Sequence, residues 1–246
     1  MKTKNTKSTA ESSSVDAEEI ERFSRIADEW WNVNGKFAPL HSMNPVRIEY
    51  IRDKIIKHFG AMDSLSLLDI GCGGGLIAEP MARLGAKVTA IDASQKNIAV
   101  ASLHAEKMGL DIDYRCTTAE ELAAGGASFD VVLSLEIVEH VADIDLFIKS
   151  ASELLKPNGI IILSTLNRTV KSYALAIVGA EYIMRMLPVG THTWSKFLRP
   201  SELCNLLEQN QIEIDELMGM VMNPITWKWR LDSKDLAVNY LVVGKR

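Results

Sequence analysis

The sequence predicts an α/β fold of the Rossmann-like type, in which helices cover both faces of a mostly parallel sheet. Strand-like and helix-like segments alternate between residues 66 and 165, which is typical of a doubly wound sheet. The strand-like segments are almost continuously apolar, as expected for strands that are buried on both faces. A glycine-rich turn follows the first strand, where folds of this type commonly bind a ligand.

Local signals predict the elements of this core in order. Five apolar segments predict strands at 66–70, 87–91, 112–116, 130–135 and 159–165. Helical spacing predicts helices at 76–84, which Gly85 closes, from the N-cap Ser94 to Met108, and at 143–155. After residue 165 we expect an insertion over 168–193, a helix from Pro200 to about Gln209, and strands at 212–222 and 239–245 that finish the sheet.

Two helices are predicted before the core, in a cap over residues 16–60. Apolar residues recur at helical spacing within 16–31. The second helix is predicted from the N-cap Asn44, with Pro45 at its first helical position, to Gly60. The first 15 residues are polar and contain three lysines, so we expect a disordered tail and no secretory signal. One domain over 16–246 remains.

The composition bounds the class of protein. The chain has 246 residues, of which 47% are hydrophobic, and this fits one domain with a full-sized core. A net charge of −5 without a basic stripe excludes a nucleic-acid partner. Cys72, Cys116 and Cys204 lie far apart and without zinc-finger spacing, which indicates a reducing compartment. No apolar run reaches the ~18 residues of a membrane-spanning helix.

The glycine turn narrows the choice of ligand. A D-x-G-x-G-x-G pattern begins at Asp69 and includes Gly71 and Gly73, and glycine lets a backbone approach a ligand closely. The dinucleotide pattern requires glycine where Leu76 stands, and the lysine of a P-loop is missing. The turn therefore favours a ligand with a ribose and an amino acid but no pyrophosphate, and disfavours an NAD dehydrogenase. The alternative is a tight turn without a ligand.

Two further residues support this kind of ligand. Asp92 ends the next predicted strand, where a carboxylate accepts hydrogen bonds from both ribose hydroxyls. Arg47 falls in the first turn of the predicted second helix, where a cation opposes the helix dipole at a cost of ~0.3–1 kcal/mol. The carboxylate of a bound methionine would offset that cost. The alternative for Arg47 is a surface arginine paired with Glu49 or Asp53.

A polar cluster follows the fourth predicted strand. The apolar segment 130–135 runs directly into Glu136, Glu139 and His140. If a helical turn follows Leu135, the three residues at i, i+3 and i+4 share one face at the ligand-binding edge of the sheet. The alternative is a capped helix start with solvated glutamates.

Several segments resemble one family. They are DEWWN, GKFAPLHSMNPVR, LLDIGCGGGLIAEPMARLGAKVTAIDAS, EIVEH, STLNRTVKSYALAIVGAEYI and NPIT. Together they resemble the bacterial ubiquinone-biosynthesis O-methyltransferases, over roughly residues 16–246. The resemblance implies a class I methyltransferase with a seven-stranded sheet whose last hairpin is antiparallel. It also implies methylation of phenolic hydroxyls of polyprenylated catechols at two steps of the pathway.

The resemblance implies a set of cofactor residues. S-adenosylmethionine would be bound by Arg47, Gly71, Asp92 and the main chain around Leu135, and the glycine pattern adds Asp69 and Gly73. The sequence departs from the family at Thr193, where an aspartate usually follows Gly-Thr-His. That departure puts the contribution of this loop in doubt.

Methyl transfer to a phenol leaves two routes open for the polar cluster. A phenol with a pKa near ~10 is mostly protonated at neutral pH. A divalent cation held by the cluster would lower that pKa, or His140 would take the proton as a general base. The resemblance favours a metal role for Glu136, Glu139 and His140, usually with Mg²⁺. Imidazole is an atypical Mg²⁺ ligand and suits Mn²⁺, Zn²⁺ or Fe²⁺ better.

The insertion suggests contact with a membrane. Residues 169–192 are apolar but interrupted by Lys171, Glu181 and Arg185. Seven apolar residues share one helical face: Tyr173, Ala176, Ile177, Ala180, Ile183, Met184 and Leu187. Such a segment lies in an anionic bilayer surface, so we expect a cytoplasmic enzyme held peripherally on the inner membrane. The alternative is a lid helix packed on the domain. Other ubiquinone-biosynthesis proteins are candidate partners.

Aromatic residues outside the core are candidates for the acceptor pocket. They are Trp30, Trp31, Phe37, His41 and Trp194, and core packing is the alternative for the paired tryptophans. His41 and His192 are secondary candidates for a base. Two other functions stay open: a methyltransferase for a small soluble phenol, and a non-catalytic lipid-binding module on the same scaffold.

Overall fold

The structure, a computed structural model, describes residues 13–175, 177, 193–223 and 226–246. These ranges contain eight strands, in the order β1 (Ser66–Ile70), β2 (Lys87–Asp92), β3 (Asp113–Cys116), β4 (Phe129–Leu135), β5 (Leu155–Leu166), β6 (Glu213–Met222), β7 (Trp229–Asp232) and β8 (Asn239–Lys245). Their helices are α1 (Ala17–Arg25), α2 (Ala38–Phe59), α3 (Ala78–Arg83), α4 (Gln95–Met108), α5 (Ala119–Ala124), α6 (Ile144–Glu153), the short α7 (Val170–Ser172) and α8 (Pro200–Gln209).

The eight strands form one mixed sheet with the order β3-β2-β1-β4-β5-β8-β6-β7. Strands β1 to β5 are parallel, and the strand order reverses between β1 and β4. Strand β8 is antiparallel to β5 and β6, and β7 is antiparallel to β6. The start of β8 therefore lies beside the end of β5, with Asn239 opposite Leu166. Trp229 at the start of β7 likewise lies opposite Met222 at the end of β6.

Helices pack on both faces of this sheet, which confirms the predicted fold class. One face carries α2, α3 and α4, whose buried side chains join those of the strands in a single cluster. The opposite face carries α5, α6 and α8 in a second cluster. Apolar burial on both faces explains why the central strands are almost continuously hydrophobic.

The sheet has one strand more than predicted. Strand β7 has the sequence WRLD and is only partly buried, so it lacks the apolar pattern by which a strand is recognised. Helix α5 was missed for a similar reason, because it has six residues and its signal is mainly the capping box of Thr118 and Glu121. Both elements are short, and pairing or capping stabilises them more than their own hydrophobic pattern does.

The predicted start of the second helix is wrong. Helix α2 begins at Ala38 rather than after Asn44, and Pro45 lies inside it. Burial of Met43 and Asn44 against the domain favours the helical conformation and outweighs the hydrogen bond that a proline cannot make. Arg47 is therefore not in the first turn of the helix, and the argument from the helix dipole does not apply to it.

The cap differs from the prediction in two other ways. The first helix ends at Arg25 and is followed by a 3₁₀ turn at Ala27–Glu29. Residues 1–12 of the predicted tail lie outside the described residues, but Ser14 is only 2% exposed. The Ala142 N–H donates to the Ser14 carbonyl (2.7 Å), so packing begins before Asp16.

Most of the predicted insertion, residues 176 and 178–192, lies outside the described residues. In the ranges that are described, no helix is both long enough and apolar enough to cross a membrane.

The docking of α2 provides a test of the fold. Ile51 is 0% exposed and Ile56 is 42% exposed on the same helix. We expect Ile51→Ala to lower the free energy of unfolding by about 2–5 kcal/mol, because it leaves a cavity in the core. The matched Ile56→Ala should change it by no more than about 0.5 kcal/mol. Urea denaturation followed by circular dichroism measures both, and equal effects would contradict this packing of α2.

Candidate active site

A cavity of about 610 Å³ lies along the edge of the sheet where the parallel strands end. Residues of its lining follow or end β1, β2, β3, β4 and β6, and others belong to α1 and α2. The volume is in the range of small-molecule sites. The cavity also crosses the point where the strand order reverses, which is where open α/β sheets bind ligands.

A network of hydrogen bonds holds the glycine turn at one end of this cavity. The Gly73 N–H donates to Asp92 Oδ2 (3.0 Å). The Ser94 N–H and Asn97 Nδ2 donate to Asp92 Oδ1 (2.8 and 3.2 Å). Trp30 Nε1 in turn donates to Asn97 Oδ1 (3.0 Å). The carboxylate of Asp92 therefore connects the glycine turn to α4 and to the N-terminal cap.

Side chains that pack against this turn require glycine in it, whether or not a ligand is bound. Gly71 and Gly73 have positive φ angles of 74° and 54°. A Cβ on Gly73 would lie 2.4 Å from the ring of Trp30, and one on Gly71 would lie 2.2 Å from Ile137. The turn is thus shaped by the side chains that pack on it, and Gly71 and Gly73 both line the cavity.

Asp92 is placed as the prediction of a ribose-binding carboxylate requires. It lines the cavity and ends β2. Burial raises the pKa of its carboxyl, while hydrogen bonds from Ser94, Gly73 and Asn97 act against this shift. Each carboxylate oxygen has two lone pairs, so Oδ2 can accept a further hydrogen bond from a hydroxyl group.

Arg47 and Asp69 lie behind the cavity lining. Arg47 is 2% exposed, and it donates to Asn44 Oδ1 (3.1 Å from Nε) and to Glu136 Oε1 (3.3 Å from Nη1). The alternative of a surface arginine paired with Glu49 is therefore wrong. Burial lowers the pKa of Arg47, and the charges of Glu136 and Asp69 counteract this effect. Burial raises the pKa of Asp69 to about 7, although Arg47 lowers it.

Glu136 begins a turn rather than a helix. It has a φ of +58°, an unfavourable left-handed conformation for a residue with a Cβ. Its Oε1 accepts hydrogen bonds from Ser164 Oγ (2.8 Å) and Asn239 Nδ2 (3.0 Å) as well as from Arg47. These three partners explain why the strained conformation is stable. They also show that Glu136 is not a solvated residue at a helix start.

The predicted common face of Glu136, Glu139 and His140 is wrong. Glu139 is buried and accepts from Thr165 Oγ1 (2.8 Å). Burial and the charge of Glu136 raise its pKa well above the usual range. His140 lines the cavity, and its Nδ1 donates to Glu19 Oε2 (3.0 Å) of α1. Among the described residues, no group of three metal-binding side chains converges on a common point.

The candidate aromatic residues separate into two groups. Trp30 and Phe37 stack on each other at 3.6 Å and line the cavity. Trp31 and His41 instead line a second cavity of about 250 Å³, and Trp31 Nε1 donates to the Gly74 carbonyl (3.0 Å). Trp194 lies outside both linings. Thr193 caps the turn at Trp194–Lys196 without a side-chain hydrogen bond, and His192 lies outside the described residues.

Three residues of the site were missed from the sequence. Asn97 binds Asp92, Glu19 binds His140, and Asn239 binds Glu136. Only Asn239 has a visible signal, since it is a polar residue directly before an apolar strand, as Glu136 is directly after one. The other two contacts depend on tertiary packing.

Comparisons with known proteins agree with this fold. A family profile described as "Methyltransferase domain" matches residues 68–163. A ubiquinone biosynthesis O-methyltransferase from Cereibacter sphaeroides is 54% identical over 242 residues, which cover 96% of this chain and 98% of that protein. A protein of the same name from Bartonella quintana is 54% identical over 239 residues, which cover 94% of this chain and 96% of the relative.

Solved structures with low sequence identity share the fold. Magnesium protoporphyrin IX methyltransferase from Synechocystis PCC 6803, solved with bound SAM (S-adenosylmethionine), has a TM-score of 0.66 at 15% identity and covers 96% of this chain and 100% of that one. A SAM-dependent methyltransferase from Thermotoga maritima has a TM-score of 0.64 at 16% identity and covers 92% and 98%.

The fold and the site define an enzyme of the class I methyltransferases. The relatives are more specific, because their identity extends over nearly the full length of both chains. The chain belongs to the ubiquinone biosynthesis O-methyltransferase family. The predicted fold class, family and enzyme class are thereby confirmed.

The buried carboxyl of Asp69 predicts a pH dependence of stability. Its pKa of about 7 in the folded protein exceeds the ~4 of an exposed aspartate. The folded protein thus keeps a proton that the unfolded chain releases, and the free energy of unfolding falls as the pH rises from about 4 to 7. Asp69→Asn cannot ionise and should weaken this decline. Glu139, whose pKa is also raised, should preserve part of it.

Urea denaturation at about pH 5 and about pH 7.5 measures the decline. Asp63→Asn, at an exposed position, is the matched control and should leave it unchanged. An Asp69→Asn protein with the same pH dependence as the unsubstituted protein would contradict the raised pKa.

Proposed function

We propose that the enzyme transfers the methyl group of S-adenosylmethionine to a phenolic hydroxyl of polyprenylated catechols in ubiquinone biosynthesis. It acts at both O-methylation steps, including the conversion of 3-demethylubiquinol to ubiquinol. The observation that carries the proposal is the continuous cavity, which joins the ribose-type carboxylate of Asp92 to the imidazole of His140. The name shared by the relatives supports the reaction and the acceptor class.

The residues around the glycine turn fit S-adenosylmethionine. Asp92 has acceptor capacity for the ribose hydroxyls, and Gly71, Gly73 and Leu135 also line the cavity. The contact of Arg47 with the methionine carboxylate stays a prediction, because Arg47 lies behind the lining and reaches the cavity through its hydrogen bond to Glu136. Asp69 attracts the guanidinium of Arg47 from the same buried side. Bound there, the cofactor supplies an electrophilic methyl group on its sulfonium.

His140 is the base that the geometry supports best. A neutral imidazole that donates from Nδ1 to Glu19 carries its basic lone pair on Nε2, which is the arrangement of an oriented general base. Burial raises the pKa of Glu19, but the hydrogen bond to His140 and nearby positive charges, which include Arg22 and Lys196, outweigh this effect, and the pKa is lowered. An ionised Glu19 stabilises the imidazolium that forms when the phenol loses its proton.

The predicted divalent cation fits this donor set poorly. His140 faces Glu19, while Glu136 accepts from Arg47, Ser164 and Asn239. The three side chains do not converge, and we derive no step through a cation. A role for Mg²⁺ stays a prediction, which turnover measured with EDTA and with added metal tests.

Transfer of labelled methyl from S-adenosylmethionine to a short-chain prenyl catechol tests the function. We expect turnover that persists in EDTA and a fall in kcat of about 10²-fold or more in His140→Gln. The control is His58→Gln, an exposed histidine that binds the Asn158 carbonyl on another part of the surface.

Each other outcome of this assay has a defined meaning. Turnover that EDTA abolishes and Mg²⁺ or Mn²⁺ restores would show that the reaction requires a divalent cation. Equal turnover of catechols with and without a tail would favour an enzyme for small soluble phenols. Cofactor binding without any turnover would favour a lipid-binding module.

We also propose that the enzyme sits peripherally on the cytoplasmic face of the inner membrane. Four apolar side chains near the start and end of the insertion are exposed: Val170 (82%), Leu175 (50%), Tyr173 (47%) and Trp194 (38%). An apolar group of this kind suits the interface of an anionic bilayer. Ile177, which we predicted on the same lipid-facing side, is 8% exposed and packs with Leu166 and Phe197. Its assignment to that side is wrong.

Liposome flotation tests the membrane contact. Val170→Glu with Tyr173→Glu should weaken binding to vesicles that contain phosphatidylglycerol, because the pair places two charges on the apolar surface. Leu103→Glu with Met108→Glu is the matched control, since both residues are exposed on α4. Equal binding of both double variants and the unsubstituted protein would refute the assignment of this surface.

A further inference from the structure

The cavity has two chemically different halves. Neighbouring strands of a sheet are ~4.8 Å apart, so five spacings separate β2 from β6 by roughly 24 Å. Groups suited to the cofactor occupy the ends of β2, β1 and β4, as described above. On β6, β7 and the facing helix α2 the lining is apolar and includes Leu40, Met43, Met220, Met222 and Trp229, whereas the loop between β7 and β8 adds Asp235, which is paired with Lys171.

The polar side chains of Glu136 and Asn239 lie between these halves. Glu136 follows β4, and Asn239 starts β8 and donates to it. Both residues line the cavity. An acceptor whose hydroxyls reach this polar middle therefore points its remaining substituent either toward the cofactor half, which the proposed cofactor would fill, or toward the apolar half.

The walls of the apolar half differ in rigidity. Trp229 Nε1 donates to Ser42 Oγ of α2 (3.0 Å), which fixes the indole across the gap between β7 and the helix. Met220 and Met222 stand on the same face of β6 because side chains alternate along a strand, and Met43 of α2 packs in the same core cluster as Met220. Methionine side chains are flexible and adapt to the shape of an apolar ligand.

We infer that the apolar half of the cavity holds the first isoprene units of the acceptor tail, and that Trp229 and Met222 determine how well they bind. This inference rests on the function proposed above. A hydrocarbon tail needs no hydrogen bonds, and each enclosed carbon contributes up to about fourfold in affinity. The extra strand β7, which a seven-stranded sheet lacks, supplies the wall that contains Trp229.

Acceptors that differ only in their tail test the inference. The probes are a catechol without a tail, with one isoprene unit and with two, and the readout is the kcat/KM of each with the full-length enzyme. We expect kcat/KM of the unsubstituted enzyme to rise with each unit. In Trp229→Ala the ratio of kcat/KM for the two-unit and the tail-less acceptor should fall about tenfold.

A second variant and a control keep the test decisive. Met222→Trp fills the apolar half and should lower kcat/KM for the two-unit acceptor more than for the one-unit acceptor. Trp227→Ala removes a tryptophan that is 48% exposed and outside the cavity lining. It should change neither the ratio of kcat/KM for the two-unit and the tail-less acceptor nor the ratio for the two-unit and the one-unit acceptor. The unfolding temperature of each variant separates a specific effect from a loss of folded protein.

Two results would overturn the inference. Ratios that stay unchanged in both Trp229→Ala and Met222→Trp would show that the tail leaves the site by another route, such as past the half-exposed Leu175. No transfer to any of the three acceptors by the unsubstituted enzyme would overturn the proposed function itself, and the inference with it.

Discussion

The carboxylate of Asp92 is the point on which the cofactor half of the site depends. One of its oxygens accepts a hydrogen bond from the Gly73 N–H, and the other accepts hydrogen bonds from Ser94 and Asn97 at the start of α4. A single buried group therefore sets the distance between the glycine turn, β2 and α4. Charge-assisted hydrogen bonds of this kind are about twice as strong as neutral ones, and they offset part of the effect of burial, which still raises the pKa of Asp92. Trp30 is joined to the same hydrogen-bond network through Asn97, so this network also positions the N-terminal cap.

Next to the cofactor half of the cavity, one guanidinium and three carboxyls form a charged cluster. The guanidinium of Arg47 interacts with the carboxyls of Asp69, Glu136 and Glu139, of which Asp69 and Glu139 are buried. Burial is the main cause of the raised pKa values of Asp69 and Glu139, and the neighbouring charges of Asp92 and Glu136, respectively, raise them further. Glu136 differs from these two carboxyls because it lines the cavity and accepts hydrogen bonds from Ser164 and Asn239. The site thus maintains a surplus of acidic groups near the place where a positively charged sulfonium would react.

The sequence predicted elements well where one local signal decided the structure. Strand β1 and the helix from Ser94 to Gly109 have the predicted bounds, because an apolar run and two good caps are sufficient to define them. Prediction failed where distant contacts outweighed local preference. Pro45 continues a helix because its neighbours are buried, and Glu136 adopts a left-handed conformation because three partners from other elements bind it. The pairing of Glu19 with His140 joins residues 121 positions apart, and no spacing in the sequence indicates it.

Helix α1 has a property that follows from how it is attached. It covers the cavity with Ile20 and Phe23, yet none of its nine residues is fully buried. The contacts that hold it include Lys196 with Asp16, His140 with Glu19 and Ser94 with Ser24. Polar contacts near a surface contribute little each, so α1 is a local unit that opens at a lower free energy than the sheet beneath it. A ligand that fills the cavity touches α1 only in its docked position. By mass action, occupancy therefore raises the local stability of α1 first, and amide hydrogen exchange slows there before it slows in the strands.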